Sequence, residues 1–315
     1  MTETVAIIGA GLIGRSWSAL FARGGYEVRV WDPDKKVLDR FRADTETLCE
    51  TLSAEGMLDD PAATLARVRV CPTLEEAVAE AVHVQENGPE RIEVKQELFA
   101  RLDAACPEGA VIASSTSAIV PSRFTADLPG RARCLVAHPV NPPHLIPVVE
   151  LCPAPWTAAE TLDRAEAIYA RIGQVPVRMT GERDGFVLNR LQGALLGEAL
   201  RLLGEGVVGV EGLDATIRHG LGLRWALMGP IETIDLNAPD GLVDYVARYG
   251  DFYADIVAEP LGREVFSVET ASRIAASWAR DRDPQDIRRR QERRDRRLAA
   301  LRRHLASETT QTSGA

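Results

Sequence analysis

Residues 4–32 contain two short apolar runs separated by a glycine-rich turn and a helical stretch, and this segment restricts the fold more than any other. TVAII is short and β-branched, and GAGLIG follows it directly. SWSALFARGG is typical of a helix that ends at glycine, and YEVRVWD alternates as a strand does. Two parallel strands need a crossover of this kind. The segment therefore predicts a βαβ unit within a parallel sheet.

The glycines of this turn are spaced as in the fingerprint G-x-G-x-x-G. The first permits a tight turn, the second lets the backbone approach a pyrophosphate, and the third lets helix and strand pack closely. The carboxylate that ends the second strand suits the ribose hydroxyls of NAD and repels the 2′-phosphate of NADP. The alternative is a glycine-rich loop without a ligand. The predicted NAD-binding residues of this segment are Gly9, Gly11, Leu12, Ile13, Gly14 and Asp32.

Strand-like and helical segments alternate up to about residue 185, which predicts a Rossmann-like doubly wound α/β domain. The pattern is helical from GFVLNRLQGALLGEALRLLGEG onward. We therefore predict an NAD-binding domain over residues 1–185 and an all-α domain for substrate binding and dimerisation over residues 186–310. Long apolar faces in the helical domain predict a homodimer. Residues 306–315 are typical of a disordered tail.

The composition narrows the class of protein. A chain of 315 residues that is 45% hydrophobic can bury a sizeable core, and it contains no run of 18 apolar residues that predicts a membrane span. No basic or apolar leader precedes the first strand, so we expect no export. The five scattered cysteines suit reduced thiols better than a disulfide framework or a zinc site. We therefore expect a cytoplasmic protein without a metal.

The formal net charge of −9 weighs against nucleic acid as a partner. Residues 280–304 are nevertheless densely basic. They suit either an anion-binding patch or a solvated helix in which Glu292 and Asp295 alternate with arginines. We expect the helix, because no aromatic residues alternate with the arginines to form a stacking surface.

The stretch HPVNPPHLIPVVEL, residues 138–151, places a carboxylate near the end of an apolar run. Burial of Glu150 is costly unless it is paired, and the prolines can turn the chain back so that His138 faces it. A carboxylate on one ring nitrogen fixes the tautomer and leaves the other nitrogen as a general base. On a dinucleotide-binding domain this suggests alcohol oxidation. The alternative is a structural histidine and a surface glutamate.

The ordered motifs GAGLIG, SSTS, HPVNP, VVE and GFVLNR together resemble the L-3-hydroxyacyl-CoA dehydrogenase superfamily. Three longer segments resemble one branch of this superfamily most, the branch that contains lambda-crystallin and L-gulonate 3-dehydrogenase. These segments are HPVNPPHLIPVVEL, GFVLNRLQ and GLRWALMGPIETIDLNA. The similarity extends from about residue 4 to about residue 304.

By position, the resemblance implies that His138 is the general base and Glu150 its orienting partner. It implies that Ser114 and Asn189 bind the substrate oxygen and support the histidine. The further cofactor-contacting positions that it implies are Glu90, Lys95 and Asn141. For the lysine, the alternative is an ordinary exposed helical residue.

Two features bear on the substrate. Residues 43–66 contain six carboxylates and neither lysine nor arginine, which argues against the phosphates of coenzyme A. Arg224 stands where the resemblance places an arginine in chains that act on small free acids, and a guanidinium suits a carboxylate. We therefore predict NAD-dependent oxidation of the 3-hydroxyl of a small hydroxy acid, with L-gulonate as leading candidate. The alternative for Arg224 is a surface or interface arginine.

Three other functions remain open. A 3-hydroxyacyl-CoA substrate would keep the chemistry and change the substrate class. L-carnitine would need aromatic residues around its trimethylammonium group, for which Trp225 and Tyr245 are available. A non-catalytic NAD-binding or structural protein is the third, since the resemblance includes a lens crystallin.

Overall fold

A computed structural model of the chain describes residues 2–278 and 283–312. The chain divides into two compact units. The first unit contains the described residues up to Asn189 together with those from Arg290 onward, and the second spans Arg190–Arg289. No helix within the described ranges is long and apolar enough to cross a membrane.

The first unit is built on one eight-stranded sheet with the order β3-β2-β1-β4-β5-β6-β7-β8. Strands β1 to β6 pair in parallel, β7 pairs antiparallel with β6, and β8 pairs in parallel with β7. The strands are Thr4–Ile8, Glu27–Trp31, Val68–Val70, Ala81–Glu86, Val111–Ser114, Cys134–Pro139, Val148–Pro153 and Val175–Arg178. The predicted Rossmann-like α/β fold is confirmed.

The sheet is not parallel throughout, which corrects the sequence-based expectation. Residues 140–147 connect β6 to β7, and this segment is too short for a crossover, so the chain returns as a hairpin.

Helices cover both faces of the sheet. Alternate residues of β1 belong to different apolar clusters, with Val5 and Ile7 in one and Ala6 and Ile8 in the other. The helices of the first unit, α1 to α7, are Leu12–Arg23, Lys35–Ala54, Pro61–Ala66, Leu74–Val78, Ile92–Ala105, Ser122–Thr125 and Ala159–Arg171.

The second unit is helical, as its sequence pattern predicts. Helix α8 begins in the first unit, and α14 returns to it at Arg290. Helices α8 to α14 are Leu188–Gly204, Val210–Thr216, Gly222–Trp225, Pro230–Asp235, Gly241–Ala258, Val268–Ser277 and Pro284–Thr312. A π-helical turn, Ile217–Leu221, lies between α9 and α10.

The last helix differs from the predicted domain and tail. The sequence pattern predicts one helical domain over residues 186–310. In the structure α14 packs with the first unit from Arg290 onward, because its Ala299 is fully buried beside α1 and α2. The backbone stays helical to Thr312, since extending a formed helix needs no new nucleus. Residues 313–315 of the predicted tail and 280–282 of the basic stretch lie outside the described residues.

Candidate active site

The glycine-rich turn has the geometry of a pyrophosphate cradle. Gly9 has φ +96° and donates its N–H to the carbonyl of Trp31 at 2.8 Å. A Cβ on Gly14 would lie 1.9 Å from the Gly9 carbonyl oxygen, so only glycine fits there. A Cβ on Gly11 would meet nothing within 4 Å, and this residue is the N-cap of α1. An open helix N-terminus of this kind suits a phosphate.

Asp32 is held in place beside this turn. Its Oδ2 accepts from the Ala10 N–H, and its Oδ1 accepts from the Asp34 N–H, both at 2.8 Å. The carboxylate therefore lies at the carboxyl end of β2, where a ribose of a bound dinucleotide would be. Leu12 is 55% exposed at the start of α1, and Ile13 is partly buried behind it. These residues fit NAD.

The β6–β7 hairpin brings His138 and Glu150 together. They are paired across the two strands, and His138 Nδ1 lies 2.8 Å from Glu150 Oε2. The other carboxylate oxygen, Oε1, accepts from the N–H groups of Val187 and Leu188, each at 2.8 Å. Leu188 begins α8, so the carboxylate also lies at a helix N-terminus, which favours negative charge.

The surroundings keep Glu150 ionised although it is only 1% exposed. Burial raises the pKa of this carboxyl, but the hydrogen bonds from His138, Leu188 and Val187 outweigh burial, so the net pKa is lowered. Because the ionised carboxylate only accepts hydrogen bonds, the Nδ1 atom of His138 must carry the proton. The second ring nitrogen, Nε2, has no hydrogen-bond partner among the described residues. Phe186 packs against the imidazole with ring centroids 5.3 Å apart.

A second buried carboxylate, Glu86, was missed by the sequence analysis. Lys95 is 1% exposed, and its Nζ lies 2.9 Å from Glu86 Oε2. The Ser114 hydroxyl donates to the same oxygen, and the Gly88 N–H donates to Glu86 Oε1. The sequence did carry a signal, because Glu86 ends a strand-like segment, as Glu150 lies near the end of another.

The contacts of Glu86 bury two residues, Ser114 and Lys95, that the sequence predicts to contact substrate or cofactor. Ser114 is fully buried and its hydroxyl is engaged by Glu86, so a substrate does not reach it in this structure. Lys95 is buried in an ion pair, neither exposed on its helix nor open to a ligand. Ser114 ends β5, Lys95 lies on α5 and Glu86 ends β4, so their contacts tie α5 to two neighbouring strands of the sheet.

Ser117, three residues after Ser114, lies at the surface beside Asn189. The amide Nδ2 of Asn189 donates to the Ser117 carbonyl at 2.7 Å. Glu90 Oε1 accepts from the N–H groups of Ser117 and Ala118 at 3.0 Å and from the Thr116 hydroxyl. Glu90 therefore orders the polar turn after β5. The SSTS motif contains this serine, but spacing alone did not show which serine is exposed.

Asn141 is exposed in the turn that follows β6. The structure gives it no hydrogen-bond partner among the described residues. It belongs to the same connection as His144, which is buried and bonds through Nδ1 to the Ser16 hydroxyl at 2.9 Å.

Arg224 lies in the second unit and lines a cavity of about 460 Å³. The aromatic side chains of Trp225, Tyr245 and Tyr253 also line it, and no carboxylate of the described residues does. The Arg224 guanidinium makes no ion pair with any residue in the described part of the chain. A lone guanidinium in a mainly apolar cavity suits an organic carboxylate.

The cysteines are buried and unpaired. Burial raises the pKa of the thiols of Cys106, Cys134 and Cys152 to about 12. These thiols are therefore protonated at neutral pH and are poor nucleophiles. Within residues 2–278 and 283–312 no cluster of three metal-ligating side chains occurs.

A Rossmann sheet with this glycine turn, an aspartate at the carboxyl end of β2 and a histidine–carboxylate pair is typical of a nicotinamide-dependent oxidoreductase. The NAD-binding domain of the 3-hydroxyacyl-CoA dehydrogenase family matches residues 4–183, and the C-terminal domain of that family matches residues 185–276. The chain belongs to the 3-hydroxyacyl-CoA dehydrogenase family. It is an NAD-dependent dehydrogenase that acts on 3-hydroxy groups, which confirms the predicted reaction class and cofactor.

Several relatives resemble the chain over most of its length. Lambda-crystallin of Oryctolagus cuniculus is 40% identical over 96% of this chain and 97% of its own. The L-carnitine dehydrogenase of Streptomyces coelicolor is 43% identical over 75% of this chain and 74% of its own. A solved structure of 5-formyl-3-hydroxy-2-methylpyridine 4-carboxylic acid 5-dehydrogenase, an NAD+-dependent dismutase, is 29% identical, with a TM-score of 0.84 over 97% of this chain and 99% of its own. The predicted lambda-crystallin branch agrees with these similarities.

Proposed function

We propose that the chain oxidises the 3-hydroxyl of a small free hydroxy acid, with L-gulonate as the leading candidate. The observation that carries the proposal is the pairing of His138 with Glu150, whose carboxylate is held by two further backbone N–H groups. This arrangement orients the imidazole and leaves its Nε2 atom to face a ligand. A histidine held by a carboxylate in this way is suited to act as a general base.

In the proposed reaction, the Nε2 atom of His138 accepts the proton of the 3-hydroxyl. The imidazolium that forms keeps its Nδ1–H bond to Glu150, whose negative charge stabilises it. NAD+ bound at the glycine turn supplies the hydride acceptor. The residues that would hold it are Gly9, Gly11, Leu12, Ile13, Gly14 and Asp32, with Asn141 beside the nicotinamide.

We assign the substrate oxygen to Ser117 and Asn189. Ser117 replaces Ser114, because Ser114 is buried against Glu86 while Ser117 is exposed. The contact between Asn189 and the Ser117 carbonyl orients the asparagine at the end of the same turn. Glu90 acts indirectly, by ordering the turn through its three hydrogen bonds.

The charges of a cavity in the first unit support a free acid over a coenzyme A thioester. The cavity has a volume of about 500 Å³ and lies beside α1, α2 and α14. The charged residues that line it are Asp44, Glu55, Glu292, Asp295, Arg15 and Arg296. Arg15 is already paired with Asp44 at 2.7 Å. The surplus of carboxylates would repel the phosphates of coenzyme A.

We further propose that Arg224 binds the carboxylate of the substrate. Among the described residues, its guanidinium has no ion-pair partner and no carboxylate lines the cavity beside it. The relative of known structure at a TM-score of 0.84 is named for a small aromatic carboxylic acid, which agrees with a free acid as substrate.

L-Carnitine is a second candidate. Three tyrosines on α12 cluster near Arg224, with the ring centroids of Tyr245 and Tyr249 4.8 Å apart and the hydroxyls of Tyr245 and Tyr253 2.9 Å apart. Aromatic faces attract a quaternary ammonium group, while Arg224 would take the carboxylate. Relatives named as L-carnitine dehydrogenases are 43% identical to the chain.

The decisive experiment is an NAD-reduction assay at alkaline pH, where proton release favours oxidation. L-Gulonate, L-3-hydroxybutyrate, L-carnitine and L-3-hydroxybutyryl-CoA would be compared. We expect the highest kcat/KM with L-gulonate or another free acid, loss of activity in His138→Ala, and full activity in the matched control His219→Ala. Arg224→Met should raise KM for free acids. A preference for the thioester would overturn the substrate assignment, and no turnover of any compound would favour a non-catalytic protein.

A further inference from the structure

The basic C-terminal helix α14 has one buried side, although most of its arginines are exposed. Ala299 is fully buried in an apolar cluster with Ala19 of α1, Leu52 of α2 and Leu145 of the β6–β7 connection. Arg303 also lies 3.9 Å from Glu55. The helix therefore packs on the nucleotide-binding helix α1 and on the connection between His138 and Glu150 at the same time.

Arg302 makes the polar contact at this junction. Its guanidinium donates to the carbonyl oxygen of His144 at 3.1 Å. Burial lowers the pKa of Arg302, which agrees with its partly buried place in the first unit. Ordering an arginine side chain costs conformational entropy, which the hydrogen bond to the loop carbonyl and the partial burial of the side chain offset.

The ring of His144 ties the same connection to α1. The Ser16 hydroxyl donates to the Leu12 carbonyl at 3.1 Å, and it lies 2.9 Å from His144 Nδ1. The Ser16 hydroxyl therefore links the His144 ring to the first turn of α1. A third contact, from Gln174 Nε2 to the carbonyl of Pro143 at 3.4 Å, comes from the start of β8.

We infer that α14 positions the His138–Glu150 pair, with Arg302 as a positioning residue that acts through the carbonyl of His144. Residues 140–147 join the two members of the pair, and this short connection is anchored on α1, β8 and α14. Loss of one anchor shifts the strand ends where His138 and Glu150 lie. The inference rests on the proposed role of this pair.

The size of the effect follows from the geometric demands of proton transfer. A displacement of about 1 Å at a reacting group costs up to about 100-fold in rate. Arg302 is one of three anchors, so its removal should cost less, roughly 10-fold in kcat. Of the residues proposed to hold NAD, only Asn141 lies in residues 140–147, whereas the glycine turn and Asp32 lie outside them. The KM for NAD should therefore change less than kcat.

The test compares Arg302→Met with Arg297→Met. Methionine keeps an aliphatic chain of similar length, and Arg297 is an exposed arginine of the same helix without an ion pair among the described residues. We expect Arg302→Met to lower kcat roughly 10-fold with KM for NAD changed less than about two-fold. Arg297→Met should match the wild type. Arg302→Lys, which keeps a donor, should recover part of the loss.

A readout without turnover separates this inference from the proposed function. Long-range ¹H–¹⁵N spectra of the imidazoles, assigned with His138→Gln, report which ring nitrogen carries the proton. We expect a single Nδ1–H tautomer for His138 in the wild type and a mixture in Arg302→Met. An unchanged tautomer and kcat in folded Arg302→Met would overturn the inference. If Arg302→Met does not fold, Arg302→Lys provides the test. The inference would be contradicted if Arg302→Lys lost all kcat while its imidazole spectra and its KM stayed those of the wild type.

Discussion

Two carboxylates lie inside the sheet of the first unit, and each is held by a different kind of partner. Glu86 is paired with the ammonium group of Lys95, whereas Glu150 is bonded to a histidine and to two backbone N–H groups. Both are at most 1% exposed. Burial of a carboxylate without such partners costs several kcal/mol. Removing the partners of either Glu86 or Glu150 is therefore expected to lower the free energy of unfolding measurably.

For Glu150, we predict a stability effect that depends on pH. Its pKa is lowered in the folded protein, so the ionised form stabilises the fold above the ordinary carboxyl pKa of about 4.3, and this contribution is lost as pH falls through the lowered value. Glu150→Gln should therefore cost about 1–3 kcal/mol at pH 7 and progressively less below about pH 4.3. Urea unfolding from pH 3 to pH 7 measures this, with exposed Glu50→Gln as control. A difference that does not change with pH would contradict the assignment.

For Lys95, we predict a large loss of stability on removal of the ammonium group. Lys95→Met leaves the Glu86 carboxylate buried without its counter-charge, which should cost about 3–5 kcal/mol. The double variant Glu86→Gln/Lys95→Met should recover part of this loss, because no unpaired charge remains. Chemical unfolding of the single and double variants tests the coupling, and equal destabilisation of the two would show that charge is not the cause.

At the scale of elements, two helix N-termini define the site. Helix α1 opens at Gly11 toward the expected pyrophosphate, and α8 opens at Leu188 toward Glu150. Phe186, two residues before the start of α8, has φ +51° and turns the chain so that two successive N–H groups face one carboxylate oxygen. The hairpin and the start of α8 therefore form one structural unit around the catalytic pair that we propose.

The turn before α1 should not accept alanine. A Cβ at position 14 would meet the Gly9 carbonyl at 1.9 Å, so Gly14→Ala should lower Tm and weaken NAD binding about 10-fold or more, although alanine favours helices. Gly193→Ala in α8 is the matched control, because a Cβ there meets nothing within 4 Å and should stabilise by up to about 1 kcal/mol. Calorimetric NAD titration and thermal unfolding measure both. Normal NAD affinity in Gly14→Ala would argue against the cradle.

At the scale of the whole molecule, the second unit exposes much apolar surface. Helix α12 has no buried residue, although it is strongly apolar. Its exposed large side chains are Leu242, Val243, Val246, Tyr249, Phe252, Tyr253, Ile256 and Val257. Contiguous apolar surface of this extent marks an interface. We propose that a second copy of the chain covers it, because the same patch on two subunits can pair about a two-fold axis to form a closed dimer.

The dimer proposal predicts a mass of twice the 34.3 kDa chain in solution. Val243→Glu/Val257→Glu places two charges on the exposed side of α12, where the valines are 82% and 78% exposed, and should yield monomers. Val70→Glu on the edge of the sheet should leave the mass unchanged. Light scattering after size-exclusion chromatography distinguishes these outcomes, and a monomeric wild type would rule the proposal out.

Local sequence determined the βαβ unit, the NAD-binding turn and the separation of sheet from helical region. These features depend on spacing over a few residues, such as the glycines at positions 9, 11 and 14 and the alternation of strand β2. The meeting of His138 with Glu150 also depends on a short segment, since they are paired across one hairpin. One sequence is enough to predict these features, because the groups that interact are close together along the chain.

Only the tertiary structure decided which groups meet over long separations. The N–H partners of Glu150 Oε1 lie 37 and 38 residues further along the chain, and Arg302 lies 158 residues after the carbonyl that it binds. The packing of the sheet buries Ser114, whose hydroxyl donates to Glu86, and leaves Ser117 exposed beside Asn189. Spacing does not predict such contacts, because they depend on which elements pack together, and packing is set by apolar faces that many arrangements could satisfy.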